Sequence, residues 1–173
     1  QDTLNDVRLA YQWIIKHADQ HHIDRNQIFL SGGSAGGHLS LALRTIDTAG
    51  NGFQEPEPAG LILFNPVIDL VDGWSNGRKK CIRANIEPRD FSPAHHVRAG
   101  LPPMLILSGA KDTLITPALI RSFQKRLAAV GGESQFIEYP QAGHGFFNYG
   151  REDNQYFQWT MREMAKFLRH HTR

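Results

Sequence analysis

The chain has 173 residues, 40% hydrophobic and 21% charged, which suits a single domain with one apolar core. Nineteen Lys and Arg against seventeen Asp and Glu leave a formal net charge of +2, giving no electrostatic case for nucleic-acid binding. No apolar run reaches about 18 residues, which excludes a hydrophobic spanning helix, and one cysteine, Cys81, excludes an internal disulfide framework and any multi-cysteine zinc site.

The chain opens at Gln1 rather than an initiator Met, with no basic segment and apolar stretch before its first helix. The expectation is a processed or trimmed chain, or a piece of a longer one, with no compartment legible. Leu4, Val7, Tyr11, Ile14, Ile15 and Ala18 recur at three- and four-residue steps, predicting a helix over about Thr3 to His17. Thr3 and Asp6 resemble a weak capping box at its start. Residues 27–30 read as a short buried strand, and 31–37 as a glycine-rich turn. A helix over His38 to about Asp47 carries Leu39, Leu41, Ala42, Leu43 and Ile46.

Glycines and prolines mark 50–59 as a loop before a second strand at 60–64. Residues 66–100 read as irregular and could hold a small lid. A third strand follows at 104–107. Thr116-Pro117 opens a helix with proline at its first position; Leu119, Ile120, Phe123 and Leu127 form its buried face, and Gly131 ends it. Residues 135–139 are the fourth strand. A last helix from about Asn154 buries Tyr156 or Phe157, Thr160, Met161, Met164, Phe167 and Leu168. Alternation of buried strands with helices predicts an α/β fold: a mostly parallel sheet of about four strands, helices flanking it, over residues 1–173. Ligands in such sheets bind beyond the carboxyl ends of the strands.

Those ends carry the reactive residue types. Gly32-x-Ser34-x-Gly36 lies between the first strand and its helix, the context of a nucleophile elbow. Small residues permit the tight turn that holds Ser34 out, and the Ala35 N–H would face a developing oxyanion. A serine needs a base, and the base an orienting acid. Asp112 follows the third strand and His144 the fourth, in the order Ser, Asp, His. Taken singly, Asp112 could be a turn cap and His144 a loop residue. Asp69 and Asp72, after the second strand, are rival acids.

Gly33-Ser34-Ala35-Gly36-Gly37-His38, Asn65-Pro66-Val67-Ile68-Asp69, Gly109-Ala110-Lys111-Asp112 and Gly143-His144-Gly145-Phe146-Phe147 together resemble the α/β-hydrolase superfamily. Within it they are most similar to the esterase and lipase branch related to hormone-sensitive lipase and bacterial acetyl esterases. The resemblance runs along nearly the whole chain. It implies a serine carboxylesterase acting on short-chain or acetyl esters, sugar acetates among them, with Ser34 as nucleophile, His144 as base and Asp112 as acid. It calls for no metal or organic cofactor. The family's members carry four more strands before the segment that begins here, and a His-Gly-Gly loop that supplies further oxyanion donors. This sequence contains no His-Gly-Gly, so the resemblance implies a truncated hydrolase domain with Ala35 as its one identifiable donor. The first strand would then be an open sheet edge, to be paired by a second copy or by strands from another chain.

Gly33, Phe146, Phe147, Tyr149 and Trp74 are candidates to line a substrate pocket, the alternative for the aromatics being core or surface positions. His17 and His21, four apart at a helix end, have the spacing of a metal pair, but with no third ligand in view no metal site is expected there. His22, His170 and His171 read as solvated, His38 as a packing or capping residue, and Arg78-Lys79-Lys80 as a solvated loop. Two other readings stay open: a peptidase or amidase of the same superfamily, and a non-catalytic hydrolase-like module used for assembly.

Overall fold

A computed structural model describes residues 2–46 and 55–172. Four parallel strands, β1 (Phe29–Gly33), β2 (Gly60–Phe64), β3 (Met104–Gly109) and β4 (Ser134–Tyr139), form one sheet in the order β1-β2-β3-β4. Helices α1 (Asp2–His17), α2 (Ala35–Thr45), α3 (Ser75–Arg83), α4 (Pro117–Ala129) and α5 (Gln155–His171) surround it.

Side chains alternate between the faces of a strand, and the two inner strands are apolar on both. Leu61, Leu63, Met104 and Ile106 face α4 through Ile120, Phe123 and Leu127. Ile62, Phe64, Leu105 and Leu107 face Tyr156 and Phe167 of α5. Gly60 leaves room for that helix, because a Cβ there would press on the Phe167 ring. A third cluster joins Leu4 and Tyr11 of α1 to Ala42, Leu43 and Ile46. Covered by the sheet on one side and α1 on the other, the second half of α2 is buried all round, Arg44 included. The Arg44 guanidinium is matched by both carboxylate oxygens of Glu57, its Nε donating at 2.7 Å.

Several element boundaries correct the sequence reading. The first strand begins two residues later, because the Asp24 side chain caps a 3-10 turn over Arg25–Gln27, accepting from the Asn26 N–H at 2.9 Å. It is an edge strand and only partly buried. Thr3 sits inside α1 rather than capping it. The second helix starts at Ala35 rather than His38, so Ser34 alone separates strand from helix. Residues 66–100 are not irregular throughout: they hold α3 and two 3-10 turns, Pro88–Phe91 and Pro93–His95. Arg78, Lys79 and Lys80 are exposed on α3, not in a loop. Met161 is 47% exposed, whereas Tyr156, Thr160 and Phe167 are buried as expected. The predicted helix end at Asp47 and the loop residues 50–54 lie outside the described residues. Among those described, no helix is long and apolar enough to cross a membrane.

Candidate active site

All four strands point the same way, so the residues that follow them meet at one edge of the sheet. Ser34 follows β1, Asn65 follows β2, Asp112 stands three residues past β3, and His144 lies in the turn after β4. Ser34 holds φ 53° and ψ −113°, a conformation that L-residues rarely adopt. Three hydrogen bonds fix it there. Its N–H donates to the Phe64 carbonyl at 2.9 Å, and its carbonyl accepts from the N–H groups of His38 at 3.0 Å and Val67 at 3.4 Å. The glycines answer to close packing: a Cβ on Gly32 would overlap the Gly36 backbone, and one on Gly37 would press on the Gly32 carbonyl and Pro66.

The loops after β3 and β4 are stitched together by backbone. The Ala110 N–H donates to Tyr139 O and the Lys111 N–H to Ala142 O, both at 2.9 Å. A side chain on Gly109 would overlap the Ala142 carbonyl, so glycine permits that approach. This seam sets Asp112 against His144. The Asp112 side chain is wholly buried. Its Oδ1 accepts from the N–H groups of Leu114 at 2.8 Å and Ile115 at 2.9 Å, and its Oδ2 lies 2.8 Å from His144 Nδ1. His144 Nε2 is 3.0 Å from Ser34 Oγ. Sequence positions 34, 112 and 144 thus form one hydrogen-bonded chain from hydroxyl through imidazole to carboxylate. Such a chain can move a proton off the hydroxyl as it attacks an acyl carbon and hold the imidazolium that results.

Asn65 is the residue that sequence reasoning quoted without giving it a role. It is fully buried at φ 33°, and its side-chain amide lies 3.1 Å from His144 Nδ1. Nδ1 directs its proton to Asp112 and has no lone pair left for an amide donor, so the contact is best served by the Asn65 carbonyl oxygen turned to that N–H. An asparagine ahead of proline at a strand's end, tolerant of positive φ, was the available signal.

Ala35 is the first residue of α2, so its N–H has no acceptor within the helix and is free for an anion. Gly33 and Phe147 meet beside Ser34: the Phe147 ring occupies the space a Gly33 side chain would fill and packs 4.6 Å from the Phe64 ring. Phe146, a candidate for the pocket, is 1% exposed and sits in the core among Tyr139, Phe147 and Tyr156. Trp74 packs beside Val67, Leu70 and Ile115 and lines an open 380 Å³ cleft with Thr113 and Leu114, directly after Asp112. Tyr149 is 76% exposed.

The rival acids are engaged elsewhere. Asp69 is buried, accepts from the Val71 and Asp72 N–H groups, and lies 3.3 Å from His95 Nε2. Asp72 is exposed. His38 donates its Nδ1–H to the Val67 carbonyl at 2.7 Å, and burial pushes its pKa below the ordinary histidine range. His17 and His21 flank the Trp13 ring, and His17 Nδ1 bonds the Trp13 carbonyl at 2.7 Å; no third metal ligand joins them among the described residues.

A family model described as the alpha/beta hydrolase fold matches residues 2–148. Esterase LipC of Mycobacterium tuberculosis is 32% identical over 165 residues, covering 82% of this chain and 40% of its own. An acetylxylan esterase of Xylanibacter ruminicola is 28% identical over 153 residues, covering 83% and 31%. Among solved structures, the propionate-bound esterase Est2 of Thermogutta terrifontis superposes with a TM-score of 0.81 at 35% identity, covering 95% of this chain and 63% of that one. The chain therefore spans well under half the length of these curated relatives and under two thirds of the solved neighbour.

Proposed function

Because the chain belongs to the alpha/beta hydrolase fold family, we propose that it contributes the catalytic half of a serine carboxylesterase, acting on short-chain or acetyl esters and sugar acetates among them. The observation that carries this reading is the Ser34–His144–Asp112 chain, at 3.0 and 2.8 Å, built from the ends of β1, β3 and β4. In the proposed reaction Ser34 Oγ attacks the ester carbonyl while His144 Nε2 takes its proton. The fully bonded Asp112 carboxylate holds the imidazole tautomer and stabilises its charge. His144 then protonates the departing alkoxide and later activates water against the acyl-enzyme. The Ala35 N–H faces the oxyanion. A preference for small acyl groups is supported by a relative named for acetylxylan and by a neighbour that binds propionate.

Each missing oxyanion donor costs roughly 100- to 1,000-fold in turnover. With one donor from this chain, we expect turnover to be slow unless more are supplied. The open edge of β1 is where added strands would pair, from a second copy or a longer polypeptide. Light scattering separates the cases: a dimer supports the former, and a reactive monomer shows that neither is required.

The test is intact mass after incubation with a fluorophosphonate, parent beside Ser34→Ala. One adduct, absent from the variant, is the expected result. Equal labelling of the variant would sink the mechanism. Nitrophenyl acetate against longer acyl esters, and then acetylated sugars, defines the substrate.

A further inference from the structure

The opposite edge of the sheet, where the strands begin, gathers a second set of ligating side chains. Glu133 immediately precedes β4, where its carbonyl accepts from the Met104 N–H at 3.1 Å. His170 and His171 form the last turn of α5. One ligand atom from each of the three lies within 4.8 Å of the other two. They share a 360 Å³ cleft with Met104, Gln135, Lys166 and Phe167.

Apart from ring contacts, of His171 with Phe167 and of His170 with His171, these groups are not engaged among the described residues. Among the described residues, neither imidazole has a hydrogen-bond partner and no cation pairs with the Glu133 carboxylate. Lys166, which lines the same cleft, instead bonds Glu163 at 2.6 Å. The His171 ring is held against Phe167, with centroids 4.4 Å apart. A carboxylate and two free imidazoles converging without a counter-charge suit a divalent cation. Two nitrogens and one oxygen select a borderline metal such as zinc over calcium or magnesium, which prefer all-oxygen shells. Atoms no more than 4.8 Å apart need side-chain shifts of less than about 1 Å to reach the roughly 2.0–2.1 Å of a zinc ligand, and water can fill the fourth position.

We propose that Glu133, His170 and His171 form a zinc-type site that clips the end of α5 to the start of β4. It is independent of Ser34, so its fate and that of the esterase reading are separate. The bound ion would tie the end of α5 to the start of β4, and so would stabilise the folded chain by mass action.

The experiment is calorimetric titration of the chelator-treated chain with zinc chloride. The parent is run beside Glu133→Gln, the double variant His170→Ala/His171→Ala, and His17→Ala/His21→Ala as control. Glu133 and His170 are exposed and His171 only half-buried, so these variants should fold, and circular dichroism checks it. One equivalent should bind the parent and the control. Affinity should fall about tenfold or more in Glu133→Gln and in the His170/His171 double variant. Excess magnesium or calcium should not compete. At zinc 100-fold above Kd, the parent's Tm should rise by about 5–10 °C. Absence of saturable binding, binding that survives loss of His170 and His171, or binding lost with His17 and His21 overturns the proposal.

Discussion

Asn65 puts an amide 3.1 Å from His144 Nδ1, the ring nitrogen turned away from Ser34. Truncating it would free the imidazole to tilt away from Ser34, and a misplacement of about 1 Å can cost up to about 100-fold in rate. Asn65→Ala should therefore slow fluorophosphonate labelling and lower kcat by about ten- to a hundredfold, with KM little changed. Asn65→Asp adds a second carboxylate beside the ring and favours its charged form. The acid limb of the pH–rate profile should then move to higher pH, which a merely structural residue would not cause. The three residues of the hydrogen-bonded chain were legible in the sequence because each lies in a short motif just past a strand end. Asn65 was not, since its role depends on a contact across 79 positions, and Asn-Pro alone reads as a loop start.

At the scale of elements, the elbow is a place where two secondary structures touch backbone to backbone. Gly36 and Gly37 disfavour helix by about 1 kcal/mol each relative to alanine, and on propensity the helix was expected to wait for His38. It begins at Ala35 instead, because strand and helix can pack only without side chains at Gly32 and Gly37. A methyl on Gly32 meets the Gly36 main chain, which no rotamer change relieves. Gly32→Ala should cost about 3 kcal/mol or more, read from urea midpoints. The helix α3 was illegible for a different reason: Gly77 is its one buried residue, so no apolar stripe announces it. That glycine instead lets α3 sit against Trp74 and Leu70.

For the molecule as a whole, buried titratable groups bound the pH range of stability. Burial pushes the Tyr11 and Tyr139 hydroxyls up to about 12, while an unfolded tyrosine titrates near 10. Between those values the unfolded chain loses protons that the folded chain keeps, so stability should fall from about pH 10 to 12 and be insensitive to both groups below 10. On the acid side His38 resists protonation when folded. Stability should decline as pH drops below about 6.5, where the unfolded imidazole takes up its proton. Urea midpoints across pH, parent against His38→Gln, check the second limb: the variant's profile should be flatter. The two tyrosines differ at neutral pH. Tyr11 donates to the Pro56 carbonyl at 2.8 Å, so Tyr11→Phe should cost about 1 kcal/mol. The buried Tyr139 hydroxyl has no hydrogen-bond partner among the described residues, so Tyr139→Phe should be neutral or stabilising while shrinking the alkaline loss. The parallel sheet and its flanking helices followed from the alternation of apolar runs with helices. The covering of α2 by α1, which buries Arg44, did not, because a helix's second neighbour leaves no local mark.

The backbone of Ser34 also bears on how such a chain changes over generations. At φ 53° and ψ −113° a serine carries strain of about 1–3 kcal/mol that glycine would shed. Its hydrogen bonds to Phe64, His38 and Val67 are all made by its main chain, and among the described residues only His144 Nε2, at 3.0 Å, engages its hydroxyl. Mutation under selection for folding alone would drift this codon toward glycine, leaving Gly32 to Gly37 an almost unbroken glycine run. On the proposed function, it is the use made of its oxygen that would hold a serine there against that drift. Decay of this lineage into a purely structural module would be expected to show first at position 34, well before the core of the sheet.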